Sequence, residues 1–329
     1  MTSYIIRRFL YMLPTLLIIS IVSFAVLQLM PGDFTTTFKM DPRFSRETLN
    51  RLIAQYGLDK PWYVRYWKWI SGIITRGDFG YSLATRQPAF DALFKGRLSW
   101  TLLMSFGTLI FTWCLAIPIG IFSAIRQYSV ADYVLTFFGF LGLSIPNFFL
   151  ALVIIWFLVA VVNVGQYGLG VGGLFDVQYI NAPWSWDKFV NFLWHLWPVI
   201  VVVGTAGMAG LIRYMRGQLL DTLGQPYVLT ARAKGLSERV VIYKHAVRNA
   251  INPLITMLGM SLPGLFEGAF FTAIILGIPS VERAFWNALR RQDEYVVMSG
   301  LVFFAFLLMV GNLLGDIMLA WVDPRIRYD

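Results

Sequence analysis

Six predominantly apolar runs, each of more than 20 residues, constrain this chain more than any other feature: 9–30, 100–124, 133–162, 192–212, 255–278 and 296–322. An α-helix rises about 1.5 Å per residue, so about 20 apolar residues cross the roughly 30 Å of bilayer hydrocarbon. The first four runs contain no Asp, Glu, Lys or Arg. A membrane β-barrel is excluded, because its strands alternate polar and apolar residues and never gather such runs. A soluble domain is also excluded: 14% of the residues are charged, where about a quarter is usual. The expected fold is an all-α polytopic membrane protein with six transmembrane helices. The third run is long enough to tilt or break, and Pro146 beside Asn147 is where a break costs least.

Arg7-Arg8 before an apolar stretch also suits a signal peptide. This stretch is too long for one and ends without a small-x-small cleavage site, so it reads as an uncleaved first span. Orientation follows from the basic residues of the short loops. With the N-terminus inside, the inner segments hold twelve Lys and Arg and the two short outer loops hold four. Positive charge is retained on the cytoplasmic side, which puts both termini there. The chain then divides into the first helix (1–30), an outer helical region (31–99), a membrane core (100–322) with a cytoplasmic loop at 213–252, and a tail (323–329).

In the outer region, Ser45 is placed to cap a helix carrying Leu49, Leu52, Ile53 and Tyr56, with Gly57 as its stop. Pro61 opens a second helix with Trp62, Tyr66, Trp69, Ile70 and Ile73 on one stripe. Periodicity favours an aromatic belt at the membrane surface over a docking platform. His195, between Trp194 and Trp197, reads as an interfacial histidine bonded to a neighbour rather than a ligand. Glycines at 139, 142, 204, 207, 210, 264, 268, 311 and 315 suit close helix packing.

Catalytic motifs are missing. No Gly-Lys dipeptide exists, hence no P-loop; the two histidines form no metal-binding pattern; and no nucleophile elbow is present. No catalytic residue, metal site or cofactor is expected in this chain. Gly168 to Gly173 matches G-x-G-x-x-G but follows a membrane span and precedes no helix, so it reads as a flexible outer loop. The single cysteine, Cys114, permits no intrachain disulfide. Basic residues are spread over six loops, which argues against nucleic acid as a partner.

The loop at 213–252 carries seven basic residues and two acidic ones, Asp221 and Glu238. Residues 227–234 read as a short helix, Gly235 as its stop and Ser237 as the cap of the next helix. The segment YVLTARAKGLSERVVIYKHAVRNAINP closely resembles the ATPase-coupling loop of inner-membrane permeases of the peptide/nickel class of ABC importers. Five further segments in order extend the resemblance over the whole chain: YIIRRFLYMLPTLL, Pro31-Gly32-Asp33, YGLDKP, GDFGYS, and the C-terminal Asn312, Asp316 and DPRIR.

The resemblance implies a type I ABC importer permease fold, half of a two-permease heterodimeric pore. Its implied partners are a second homologous permease, two cytosolic ATPases holding ATP and magnesium, and an extracytoplasmic substrate-binding protein. It assigns ATPase coupling to Tyr227, Thr230, Ala231, Arg232, Ala233, Lys234, Gly235 and Leu236, and places Glu267 and Asn147 on the translocation path. Departures exist: of the importer pattern E-A-A-x-x-x-G only Ala231 and Gly235 remain, and Ala273 stands where many members carry glutamate. Glu267 stands where the family usually has glycine. Stretches GVGGLF and APWSWDKF look like the oligosaccharide-associated subset, so substrate lies between oligopeptide and oligosaccharide, leaning to sugar. The rival reading is a self-sufficient channel or ion-coupled secondary transporter. It would need a relay of intramembrane charges, and only Glu267 and Asp316 are available.

Overall fold

The computed structural model describes residues 2–29, 45, 47, 50, 51, 53, 54, 57 and 59–322, and their side chains except those of 2–5, 256, 259–268 and 319–322. Nearly every element is helical. In chain order they are α1 (Thr2–Gln28), α2 (Trp62–Arg76), α3 (Ala89–Phe94), α4 (Leu98–Ile125), α5 (Val130–Ser144), α6 (Asn147–Trp156) and α7 (Trp186–Leu223). There follow α8 (Pro226–Ala233), α9 (Glu238–Val240), α10 (Arg248–Ala250), α11 (Asn252–Ile275), α12 (Val281–Arg290) and α13 (Glu294–Val322). A two-residue antiparallel ribbon pairs Tyr81 with Pro88 and Ser82 with Gln87. Four stretches among the described residues are long and apolar enough to cross a membrane: Ile6–Gln28, Ala89–Ile125, Trp186–Leu223 and Glu294–Met318.

The third run is broken as its proline requires. α5 and α6 meet at 106°. Ile145 and Pro146 are extended (ψ 122° and 136°), because the proline ring keeps its predecessor out of the helical region. Asn147 begins the new helix, which continues as a π-helical turn over Phe157–Val161.

By internal contacts the chain forms two units, Met1–Trp100 with Pro279–Val310, and Thr101–Ile278 with Gly311–Asp329. In the first, α2 packs against α1 and the start of α13 through Phe24, Tyr66, Trp69 and Met298. The Tyr66 hydroxyl meets Ser20 Oγ at 2.8 Å, and Trp69 Nε1 donates to the Phe79 carbonyl at 2.9 Å. This corrects the expected surface belt: Tyr66 and Trp69 are buried against helices, while Trp62 stays exposed. An amphipathic stripe needs an apolar cover, and here α1 supplies it. Arg65 Nη1 reaches Glu294 at 2.6 Å and Nη2 donates to Gln28, tying α2 to the end of α1 and the start of α13. The expected helix after Ser45 lies largely outside the described residues.

In the second unit α7 is the central post. Thr112 Oγ1 on α4 donates to the Gly204 carbonyl at 3.0 Å. A Cβ on Gly142 of α5 would stand 2.8 Å from the Thr205 carbonyl, so glycine is needed for that approach. Gly210, by contrast, has nothing within 4 Å of a Cβ. Gly264 and Gly268 lie outside the described side chains.

Candidate coupling site

The loop between α7 and α11 builds a short helix fixed on one face and bare on the other. Gln225 leads in with extended backbone, and Pro226 takes the first helical position of α8, where its missing N–H costs nothing. Thr230 Oγ1 donates to the Pro226 carbonyl at 2.8 Å. At the other end Lys234 N donates to Thr230 O at 3.0 Å and Gly235 N to Arg232 O at 2.9 Å. Gly235 has φ +76°, a left-handed conformation that glycine adopts at little cost. The chain reverses there into Ser237 and α9.

Two side chains anchor α8. Val228 and Ala231 are buried against Leu219, Val241, Ala246, Ala250 and Leu254. Complete burial of a valine contributes about 1.5–3 kcal/mol, enough to hold a two-turn helix that would not form alone. Asn249 Nδ2 donates to the Tyr227 hydroxyl at 3.0 Å and to the His245 carbonyl at 2.9 Å. Arg232 pairs with Glu238 at 2.9 Å. Both ends of that pair are well exposed, so it adds only about 0.2–1 kcal/mol. Tyr227, Leu229, Thr230, Arg232, Ala233, Lys234, Gly235 and Leu236 all face outward. The arrangement holds no nucleophile and base; it can transmit displacement, because the helix is fastened on its inner side to α7 and to the segment Val241–Val247.

The comparisons with known proteins decide what kind of chain carries this loop. Residues 116–328 match the family described as binding-protein-dependent transport system inner membrane component. Residues 1–109 match the N-terminal region of such membrane components. The chain belongs to this family. Over 328 residues it is 40% identical to the oligopeptide transport system permease protein AppB of Bacillus subtilis, covering 100% of both chains. It is 31% identical over 339 residues to the dipeptide transport system permease protein DppB of Escherichia coli, covering 100% of this chain and 99% of the relative. The Lactococcus lactis DppB is 32% identical over 328 residues, covering 99% of this chain and 100% of the relative. As a family member the chain is a helical, multi-pass component of the inner membrane.

The structure brings the residues of 227–236 in this inner membrane component together on one helix and its stop. Ser237 begins α9 as expected, yet its side chain makes no capping bond; its carbonyl accepts from Val241 N at 3.0 Å instead. Asn147 is apart from this site, at the break between α5 and α6. Glu267 belongs to α11, and its side chain lies outside the described residues. Asp323, Arg325 and Arg327 also lie outside them.

Three features escaped the sequence reading. Val241–Val247 is π-helical; nothing in its composition marks the extra residue per turn. The Tyr227–Asn249 bond spans too many residues to read off spacing. The glycine stretch at 168–173 is not the flexible loop expected: Gly170 N donates to Asp176 Oδ1 at 2.7 Å, Trp194 Nε1 to Gly170 O at 3.1 Å, and Gly173 N to Leu276 O at 2.7 Å. Asp176 is clasped further by Asn191 Nδ2. His195 is buried there, with Nδ1 2.8 Å from the Asn191 carbonyl and Nε2 3.4 Å from Asp176. A histidine bonded to its neighbours is what the sequence suggested.

Proposed function

We propose that this chain is one of two permease subunits of a peptide importer driven by separate ATPases. The observation that carries the reading is α8: a short helix buried at Val228 and Ala231 and exposed along its other face, on the loop that matches the family. Closure of two ATP-bound ATPase subunits would press on the exposed face formed by Tyr227, Leu229, Thr230, Arg232, Ala233, Lys234 and Leu236. The buried face would pass that displacement to α7 and, through Val241–Val247, toward α11. The membrane helices would then alternate between inward- and outward-open arrangements, receiving substrate from an external binding protein.

We read six spans for the half-pore: four long apolar stretches and the bent pair α5–α6 support five, and the apolar run 255–278 on α11 is taken as the sixth. The bias of basic residues supports cytoplasmic termini, with α8 on the cytoplasmic side. Oligopeptides and dipeptides are favoured as cargo because the relatives named above carry them. The oligosaccharide alternative keeps only the two outer sequence stretches as support. We place Glu267 and Asn147 on the path, since a carboxylate in mid-span needs a polar partner or a water-lined face.

The test is reconstitution with the second permease, two ATPases and the binding protein. Peptide uptake should require ATP. ATP-independent uptake driven by an ion gradient would refute the reading.

A further inference from the structure

A cavity of about 70 Å³ opens between α5 and α7, lined by Thr136, Gly139 and Phe140 on one side and Ala209, Ile212, Arg213 and Arg216 on the other. A single water needs about 10–15 Å³ by the same measure, so the space admits a larger group. It exists because Gly139 has no side chain; a Cβ there would come within 3.1 Å of Ile212 Cδ1. Its depth is set by the sequence: Arg213 follows the apolar run 192–212, and α5 starts at Val130. Both helices therefore cross one membrane interface at this cavity.

Its charge is unbalanced. Arg216 Nη2 donates to Asp132 Oδ2 at 3.2 Å, but its Nε is buried without an acceptor. Asp132 is occupied elsewhere, accepting from Tyr128 N at 2.9 Å and Thr136 Oγ1 at 3.3 Å. Arg213 is exposed and has no ion partner among the described residues. Two guanidiniums against one satisfied carboxylate leave one positive charge, that of the exposed Arg213, at the cavity. Beside it α5 exposes Tyr133, Phe137 and Phe140.

We propose that this cavity binds the phosphate of an anionic membrane lipid, with the exposed Arg213 guanidinium as the donor, the positive charge of Arg216 beside it, and the α5 aromatics against an acyl chain. A planar guanidinium is suited to phosphate oxygens, and basic pockets between spans at the cytoplasmic interface bind acidic head groups. The proposal rests on reading α5 and α7 as membrane spans; with the N-terminus inside, the lipid belongs to the cytoplasmic leaflet. α7 runs from this cavity directly to α8, so the lipid would sit on the helix to which the coupling site is fastened.

The test is native mass spectrometry of the full-length chain in detergent with added phosphatidylglycerol, phosphatidylcholine or soluble glycerol phosphate. Phosphatidylglycerol should be retained preferentially. Arg213→Gln, which removes no internal partner, should weaken retention about fivefold, and Arg213→Lys should restore most of it. Equal retention of both lipids, or unchanged retention in Arg213→Gln, would overturn the proposal. Displacement by equimolar glycerol phosphate would overturn the lipid as the source of the phosphate. No ATPase takes part, so these outcomes leave the importer reading to its own test.

Discussion

Gly235→Val separates a mechanical role for α8 from a merely structural turn. At Gly235 φ is +76°, and an added Cβ would meet nothing within 4 Å. No steric clash arises, so the whole cost is backbone. Left-handed backbone costs an L-residue about 1–2 kcal/mol, and a β-branched one sits at the unfavourable end. That penalty is about a 5–30-fold shift against the native turn. It falls on the Lys234–Leu236 reversal, while the anchors Val228 and Ala231 stay buried, so the chain should still insert. The assay is retention of the ATPase subunits on washed membranes, with ATP hydrolysis measured in parallel. Gly235→Val should lower both several-fold at normal membrane levels. Gly235→Asn should recover most of each, because asparagine tolerates this conformation. Full retention and hydrolysis in the valine variant would refute the reasoning, as would a valine variant absent from the membrane.

Three further variants test packing and charge elsewhere. Gly142→Ala forces a Cβ to 2.8 Å from the Thr205 carbonyl and should destabilise the α5–α7 contact by about 1–3 kcal/mol, whereas Gly210→Ala meets open space and should be neutral or stabilising. Thermal unfolding in detergent checks the pair, and equal effects would contradict the packing account. Burial pushes the Asp293 carboxyl above its ordinary 3.8, against hydrogen bonds from Ser82 and from the backbone N–H groups of Ala84 and Val296. The folded state then holds more protons than the unfolded one between 3.8 and the raised value, so stability falls as pH rises through that window. Asp293→Asn removes this dependence: its melting temperature relative to wild type should climb through the window and then level off, and a pH-independent difference would contradict the assignment.

Much of the fold was legible because a bilayer imposes length. Apolar runs had to become helices, and Pro146 located the break. The short helix α8 was legible from its local stop at Gly235, while its start at Pro226 and its buried pair, Val228 and Ala231, emerge from the fold. What the sequence hid depended on partners distant along the chain. Periodicity identified the Tyr66 and Trp69 stripe but not its cover, which Phe24 and Ser20 on α1 provide. Glycine content suggested a mobile outer loop at 168–173, yet Asp176, Asn191 and Trp194 bind its backbone. Tyr227 and Asn249 likewise meet only because α8 folds back over the helix that follows it.

The claim that α8 meets the ATPases directly is open to cross-linking. The single cysteine simplifies this, since Cys114→Ser gives a thiol-free background. Single cysteines at Leu229, Ala233 and Leu236, which face outward, are compared with one at Tyr179 in the loop between α6 and α7. In membranes holding the assembled transporter, a thiol-reactive photo-cross-linker should join the three α8 positions to an ATPase subunit and leave Tyr179→Cys unlinked. No ATPase adduct at any of the three, in a transporter that still imports with ATP, would contradict the account.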